Sequence, residues 1–354
     1  MGKETCTHFI RKIEDMEQTV TKRIGYIDAL RGFAMILVVY FHISAFGFGS
    51  YEIGYNGLIE RFRMPSFFFI SGLLFNLSSW TLNPRQQIIR KFLALIVPTS
   101  IFMLLYLIIF DYWDFSCLGS DKRGYWFTFV LFEFIVIYGT VETLLNKKNT
   151  TKGEMYVMMT ILLLSVSAFY YAKYYNRYSE ELGNWKTILG LFSFVKIRHI
   201  IFFWFGTIVR KHFDRFIRIT SNSYLITVLV VFFIVLCLFP NIFSINGLEY
   251  VAYLLAGLSG TVVIFTIFQH FSLFSFHSLQ FIGRRTLDIY LIHYFFLPYH
   301  IEFIATKFNL YENSFLCMLI SIVLASCVVA ISLLCSRVIR FSPFLAKYLL
   351  AAKS

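Results

Sequence analysis

Apolar stretches of about 20 residues recur along this chain, separated by short segments where arginine, lysine, glycine and proline collect. About 20 residues of helix, rising about 1.5 Å each, cross a hydrocarbon core of about 30 Å. The pattern predicts ten spans, at about 27–47, 64–80, 92–113, 125–145, 154–172, 197–210, 221–240, 249–270, 286–304 and 313–336. The sixth is short and is expected to begin earlier, near Leu191. Runs such as SYLITVLVVFFIVLCLF do not alternate with a period of two, which argues against a β-barrel. Helices satisfy their own backbone polar groups in lipid, so the fold class expected is all-α, a polytopic helical bundle.

The charges between spans set an orientation. Alternate connections carry Arg85, Arg90 and Lys91; Lys147, Lys148 and Lys152; Arg210, Lys211, Arg215 and Arg218; Arg284 and Arg285; and Arg337, Arg340, Lys347 and Lys353. The polar leader, with Arg11, Lys12, Lys22 and Arg23, falls on the same side. The opposite side has Lys122 and Arg123, the 173–196 segment with Lys173, Arg177, Lys186 and Lys196, and Lys307. Short cytoplasmic loops are the ones enriched in Lys and Arg, so both termini are expected in the cytoplasm, and an even count of ten fits.

Composition narrows the class further. With 58% hydrophobic residues, 15% charged and a mean hydropathy of +0.68, a soluble fold is excluded. The net charge of +12 sits between spans, which reads as topology and not as a nucleic-acid surface. The six cysteines (Cys6, Cys117, Cys237, Cys317, Cys327 and Cys335) show no CxxC spacing, so neither a metal site nor a disulfide framework is expected. Residues 1–23 lack an apolar h-region, so the first span is expected to act as an uncleaved insertion signal. The chain divides into a polar leader (1–23), a membrane domain (24–340) and a tail (341–354) expected to lie along the inner surface as a short amphipathic helix. There is no internal repeat. Tyr and Trp in the long external connection either stack on sugar faces or settle at headgroup level, the commoner use.

The stretch from Ile24 to Phe75 concentrates the candidate chemistry. Eleven steps from Arg31 to His42, at about 100° each, turn within about 20° of three full circles, so both side chains share one stripe about 16 Å long. Imidazole accepts and returns a proton near neutrality, which suits a general base; the structural alternative is a histidine bonded across helices. Arg31 either pairs with Asp28 at i,i+3 and snorkels, or anchors an anion. Arg61 and Arg63 lead into Met64-Pro65, with Pro65 expected in a first helical turn and Arg63 turned inward towards His42. Ser71 and Gly72 are expected to let helices approach closely. Trp126 opens the fourth span at the outer boundary, and Glu133, two turns inside, needs an arginine or histidine partner or a proton. In the ninth span Arg284 and Arg285 mark the inner surface, Asp288 is expected to neutralise one of them, and His293 lies as deep as His42.

The order IDALRGFAMILVVYFH, RMPSFFFISGLLF, YWFTFVLFEF, IGRRTLDIYLIH resembles the acyltransferase-3 family of bacterial membrane O-acyltransferases, from about Tyr26 to the end of the ninth span. The resemblance implies ten helices in the bacterial cytoplasmic membrane and both termini inside. It also implies transfer of an acyl group, acetyl being the expected one, from cytoplasmic acyl-CoA to sugar hydroxyls of a surface or lipid-linked glycan. By position it places the family's paired arginine and histidine on Arg31 and His42, a further arginine on Arg63 and the late histidine on His293. The roles expected are catalysis by His42, Arg31 and Arg63; substrate contact by Glu133, Trp126, His293 and Asp28; and acyl-CoA binding by Arg31, Arg284 and Arg285. The extracytoplasmic hydrolase-like domain that some members append is not found in this sequence. A transporter or flippase also buries His, Arg and Glu, but the sequence lacks matched broken spans or inverted-repeat symmetry.

Overall fold

The first helix, α1 (Gly25–His42), has Gly32 as its only glycine beyond the first turn, and it runs directly into a π-helical turn, Ile43–Gly47. In this computed structural model, which describes residues 24–111, 119–146, 150–178, 190, 193–238, 248–271 and 277–352, no strand occurs among those residues. The leader with Cys6, and also Cys117, Lys147, Lys148, Lys186, Lys353 and much of the 173–196 connection, lie outside them. After α1 come α2 (Asn56–Leu73), the short α3 (Leu77–Leu82) and α4 (Pro84–Ile109). A 3-10 turn, Lys122–Gly124, leads into α5 (Trp126–Leu145), then α6 (Thr151–Arg177). A second 3-10 turn, Phe194–His199, opens α7 (Ile200–Lys211), followed by α8 (Phe213–Thr220), α9 (Ser223–Leu238) and α10 (Glu249–His270). The chain ends with α11 (His277–Arg284), α12 (Thr286–Ile292) with a 3-10 turn His293–Phe296, α13 (Glu302–Lys307), α14 (Ser314–Ile339) and α15 (Pro343–Leu349).

Six of these helices are long and apolar enough to cross a membrane: α1 with its π turn, α4, α5, α6, α10 and α14. The pair α8–α9, bent by 79°, would make a seventh. Helix occurs in all ten predicted stretches, but three are interrupted or shifted. The second span begins at Asn56, not at 64, and ends at Leu73, so Pro65 sits in the helix interior and not in its first turn. Hydropathy alone discards that opening because Asn56, Glu60, Arg61 and Arg63 interrupt it, yet Asn56 and Arg63 are buried in protein. The ninth stretch is set off from α11 by a break at Arg285, and at His293 its helix tightens to 3-10 ahead of extended Leu297. The sixth begins as the 3-10 turn at Phe194; the expected start near Leu191 lies outside the described residues.

α1 is the hub of the bundle. In its apolar window 67% of residues are buried inside the protein, against 28–50% for the other five spans, and it touches α2, α10, α11, α12 and α14. Close approach to α11 depends on paired glycines: a Cβ at Gly32 would overlap the Leu279 carbonyl oxygen, and one at Gly283 the Asp28 carbonyl oxygen. The expectation for Gly72 holds in the same way, since a Cβ there would overlap the Phe203 carbonyl oxygen of α7.

Ion pairs stitch other helices together. Lys211 at the end of α7 reaches Glu154 of α6 at 2.7 Å and Glu142 of α5 at 3.8 Å. Asp288 is held chiefly by Arg340, the residue that ends α14, at 2.8 to 3.2 Å through two guanidinium nitrogens, and by the Ser336 hydroxyl. Arg285 is a secondary partner at 3.5 Å, so the purely local neutralisation expected from sequence is corrected to a cross-helix one.

Candidate active site

One cavity of about 1690 Å³ runs along α1. Its wall includes Arg31 and Thr286 at one end, His42, Arg63 and Tyr294 along its length, and Tyr51, Glu60 and Glu302 at the other end. Small-molecule sites typically enclose about 300–1000 Å³, so this volume suits two partners meeting, not one ligand held alone. Aromatic and aliphatic side chains make up much of the wall, which leaves its few polar groups prominent.

His42 is the last residue before the π turn, a rare helical form that recurs at functional sites. Its Nε2 lies 2.9 Å from the Tyr294 hydroxyl. The rings of Phe46, His293 and Tyr294 pack around it at centroid distances of 5.5, 5.4 and 5.0 Å. Its Nδ1 is buried and has no hydrogen-bond partner among the described residues. Arg63 is buried, with its guanidinium 3.8 Å from the centre of the Phe41 ring. Its Nε and Nη1 have no hydrogen-bond partner among the described residues, and its charge acts on both His42 and Tyr294. Leaving a buried donor unsatisfied costs about 1–3 kcal/mol, more when it is charged, so these donors suit an oxygen that arrives with a ligand.

Of the residues given a catalytic or binding role by sequence, Arg31, His42, Arg63 and Trp126 line this cavity. Asp28, Glu133, Arg284, Arg285 and His293 do not. Arg31 donates to the Thr286 hydroxyl at 3.0 Å and lies 4.0 Å from Asp28, so the Asp28 pairing is present but long. His293 backs the ring of His42. Its Nδ1 lies 2.9 and 3.0 Å from the carbonyl oxygens of Tyr290 and Ile289, which only accept, so Nδ1 carries the proton. Arg284 is exposed, and Arg285 is engaged with Asp288.

Oε2 of Glu133 is buried and has no hydrogen-bond partner among the described residues, so of the arginine, histidine or proton expected, no arginine or histidine meets that oxygen. Lys122 stands in the 3-10 turn before α5, where Lys122, Arg123 and Gly124 all adopt positive φ (43°, 51° and 97°). That left-handed turn folds the lysine inward, where it donates to the Gly190 carbonyl at 3.0 Å, and burial pushes its ammonium pKa down. The same turn supports the site: a Cβ at Gly124 would overlap the Tyr294 hydroxyl, so only glycine fits there.

Sequence reasoning missed Tyr294, because α-helical periodicity does not anticipate the 3-10 turn that aims it at His42. It also missed His199 and Arg198, which fall at the start of the sixth predicted span and were given no role there, whereas the structure sets them in a 3-10 turn.

A family model described as an acyltransferase domain matches residues 24–337, nearly the whole chain. No curated protein matches the chain, and no solved structure does.

Proposed function

The chain belongs to the acyltransferase-3 family, as a multi-pass membrane acyltransferase, and from that premise we propose its donor, acceptor and orientation. It crosses the bacterial cytoplasmic membrane ten times with both termini inside, and moves an acyl group, acetyl by preference, from cytoplasmic acyl-CoA to a hydroxyl of a cell-surface or lipid-linked glycan. One observation carries this reading: His42, bonded to Tyr294 and within the influence of Arg63, lines a cavity whose wall reaches from Arg31 to Glu302.

The donor comes from the Arg31 end. Exposed Arg284, at the end of α11 and outside the cavity wall, attracts the CoA phosphates, and Arg31 on the wall receives a phosphate or thioester oxygen. Arg285 is left out of this role because Asp288 holds it. The acceptor comes from the Glu302 end. His42 takes the proton of its hydroxyl as the oxygen attacks the thioester carbonyl carbon. The Arg63 nitrogens stabilise the oxyanion, a contribution worth about 3–4 kcal/mol when such a donor is lost. The C–S bond then breaks, the CoA thiolate takes the proton back from the imidazolium, and the acyl ester leaves with the acceptor.

Tyr294 positions the imidazole, since its hydroxyl holds Nε2 while its ring packs on His42. Tyr294→Phe keeps the ring and removes one hydrogen bond worth about 1 kcal/mol. The expected result is a fall in kcat of about fivefold with KM and thermal stability little changed; a fall in stability with kcat preserved contradicts a positioning role.

Free CoA at a hundred times its Kd should stabilise the purified protein by about 2.7 kcal/mol, read as a rise in unfolding temperature in detergent. Arg31→Lys is expected to abolish most of that rise, because an ammonium cannot reproduce the guanidinium fork. No stabilisation by CoA or acetyl-CoA would count against the donor assignment and for a transporter.

A further inference from the structure

The cavity has a second polar centre that the reaction above does not use. The 3-10 turn Phe194–His199 presents Lys196, Arg198 and His199 to the wall, beside Trp126 and Tyr253. His199 is 7% exposed, and its Nδ1 lies 2.6 Å from the Tyr253 hydroxyl. The rings of Phe68 and Trp126 lie at 24° to the imidazole plane, with centroids 5.5 and 6.2 Å away. Lys196 places its ammonium 4.8 Å from the centre of the Trp126 ring. These contacts fix one histidine edge and one aromatic platform in the wall of the same cavity as His42.

Charge pairing around this centre is uneven. Lys196 is paired with Asp121 at 2.7 Å, but the Asp121 side chain is 71% exposed, so water can replace it as partner. Glu249, also on the wall, is taken by Lys173 at 2.7 Å. Arg198 makes no ion pair among the described residues, and its buried Nε has no hydrogen-bond partner among them. A guanidinium with a desolvated, unpaired nitrogen inside a membrane protein is costly, and an incoming anion offsets that cost.

We propose that this polar centre in the cavity wall is the acceptor subsite, and that it recognises a phosphate or carboxylate carried by the acceptor. Arg198 forks onto the anion, Lys196 exchanges from Asp121 to join it, and the Trp126–His199 wall flanks the sugar ring. The inference rests on the acyltransferase reading for the word acceptor, whereas the anion site stands on its own geometry.

The test is calorimetric binding to the full-length protein in phosphatidylcholine nanodiscs. The probes are methyl glucuronide and glucose 6-phosphate as charged sugars, geranyl diphosphate as a lipid-type anion, and methyl glucoside as the neutral control. At least one anionic probe is expected to bind ten times more tightly than methyl glucoside, with affinity falling as salt rises. Tighter binding of the two sugars places the anion on the glycan; tighter binding of geranyl diphosphate places it on a lipid linker. Arg198→Gln should remove about tenfold from the anionic probes and leave methyl glucoside unchanged, and Arg198→Lys should restore part of the loss. Equal binding of all four probes by the wild type, or an equal loss for all in Arg198→Gln, overturns the proposal. Acyl-CoA turnover in the same preparations separates the two readings. Turnover that depends on His42 without anion preference sinks only the subsite, and anion preference without turnover sinks the acyltransferase donor assignment.

Discussion

His42→Gln is expected to lower acyl transfer by about a thousandfold while leaving membrane insertion and thermal unfolding close to wild type. General acid–base catalysis contributes about 10²–10⁴ in rate, and a thousandfold loss corresponds to about 4 kcal/mol of barrier. Glutamine approximates the volume of imidazole and can still bond the Tyr294 hydroxyl, so packing against Phe46 and His293 is preserved while proton exchange is lost. His42→Ala removes the same chemistry and also leaves a hole beside those rings, so its stability should fall as well. The pair separates chemistry from packing. The measurement is transfer of radiolabelled acetyl from acetyl-CoA to membrane glycans, alongside unfolding temperature. Transfer by His42→Gln within about threefold of wild type would remove this residue from the reaction. Mass analysis of the quenched wild-type protein adds a second reading: an acetyl group trapped on His42 would replace direct transfer with a covalent relay.

The helical fold was legible because hydropathy reports what lipid demands of a segment, and the long stretches around α1, α4, α5, α6, α10 and α14 obey it plainly. It failed where charged residues are buried in protein and not in lipid. Arg63 and Asn56 mislead hydropathy about the start of α2, since neither side chain meets acyl chains. The Arg31–His42 stripe was legible too, because α1 stays α-helical over that length and both residues reach one cavity. Tyr294 was not, because a change from α to 3-10 geometry rotates side chains by amounts that no fixed period describes. The inward course of Lys122 to the Gly190 carbonyl was equally hidden, since it depends on three consecutive left-handed residues in a turn. Local irregularities of the backbone carry the parts of this site that periodicity misses.

Asp288→Ala should destabilise the protein by about 3–5 kcal/mol, the cost of breaking a buried ion pair from one side. The Asp288 side chain is 4% exposed and accepts from two nitrogens of Arg340 and from the Ser336 hydroxyl, with Arg285 3.5 Å away. Alanine would leave the Arg340 guanidinium, 25% exposed, without its carboxylate in a region where water reaches only part of it. The effect should extend to activity, because α12 leads directly into the 3-10 turn holding His293 and Tyr294 behind His42. The double variant Asp288→Leu, Arg340→Met removes both charges at similar volume and should recover most of the stability, since an apolar pair avoids the desolvation cost. Asp288→Asn keeps the shape and the hydrogen bond from Ser336 but loses the charge, so it should fall between the two. Denaturation by sodium dodecyl sulfate in mixed micelles reads all three. An Asp288→Ala protein as stable as wild type, or a double variant no better than the single one, would mean that α12 and α14 are held by packing alone.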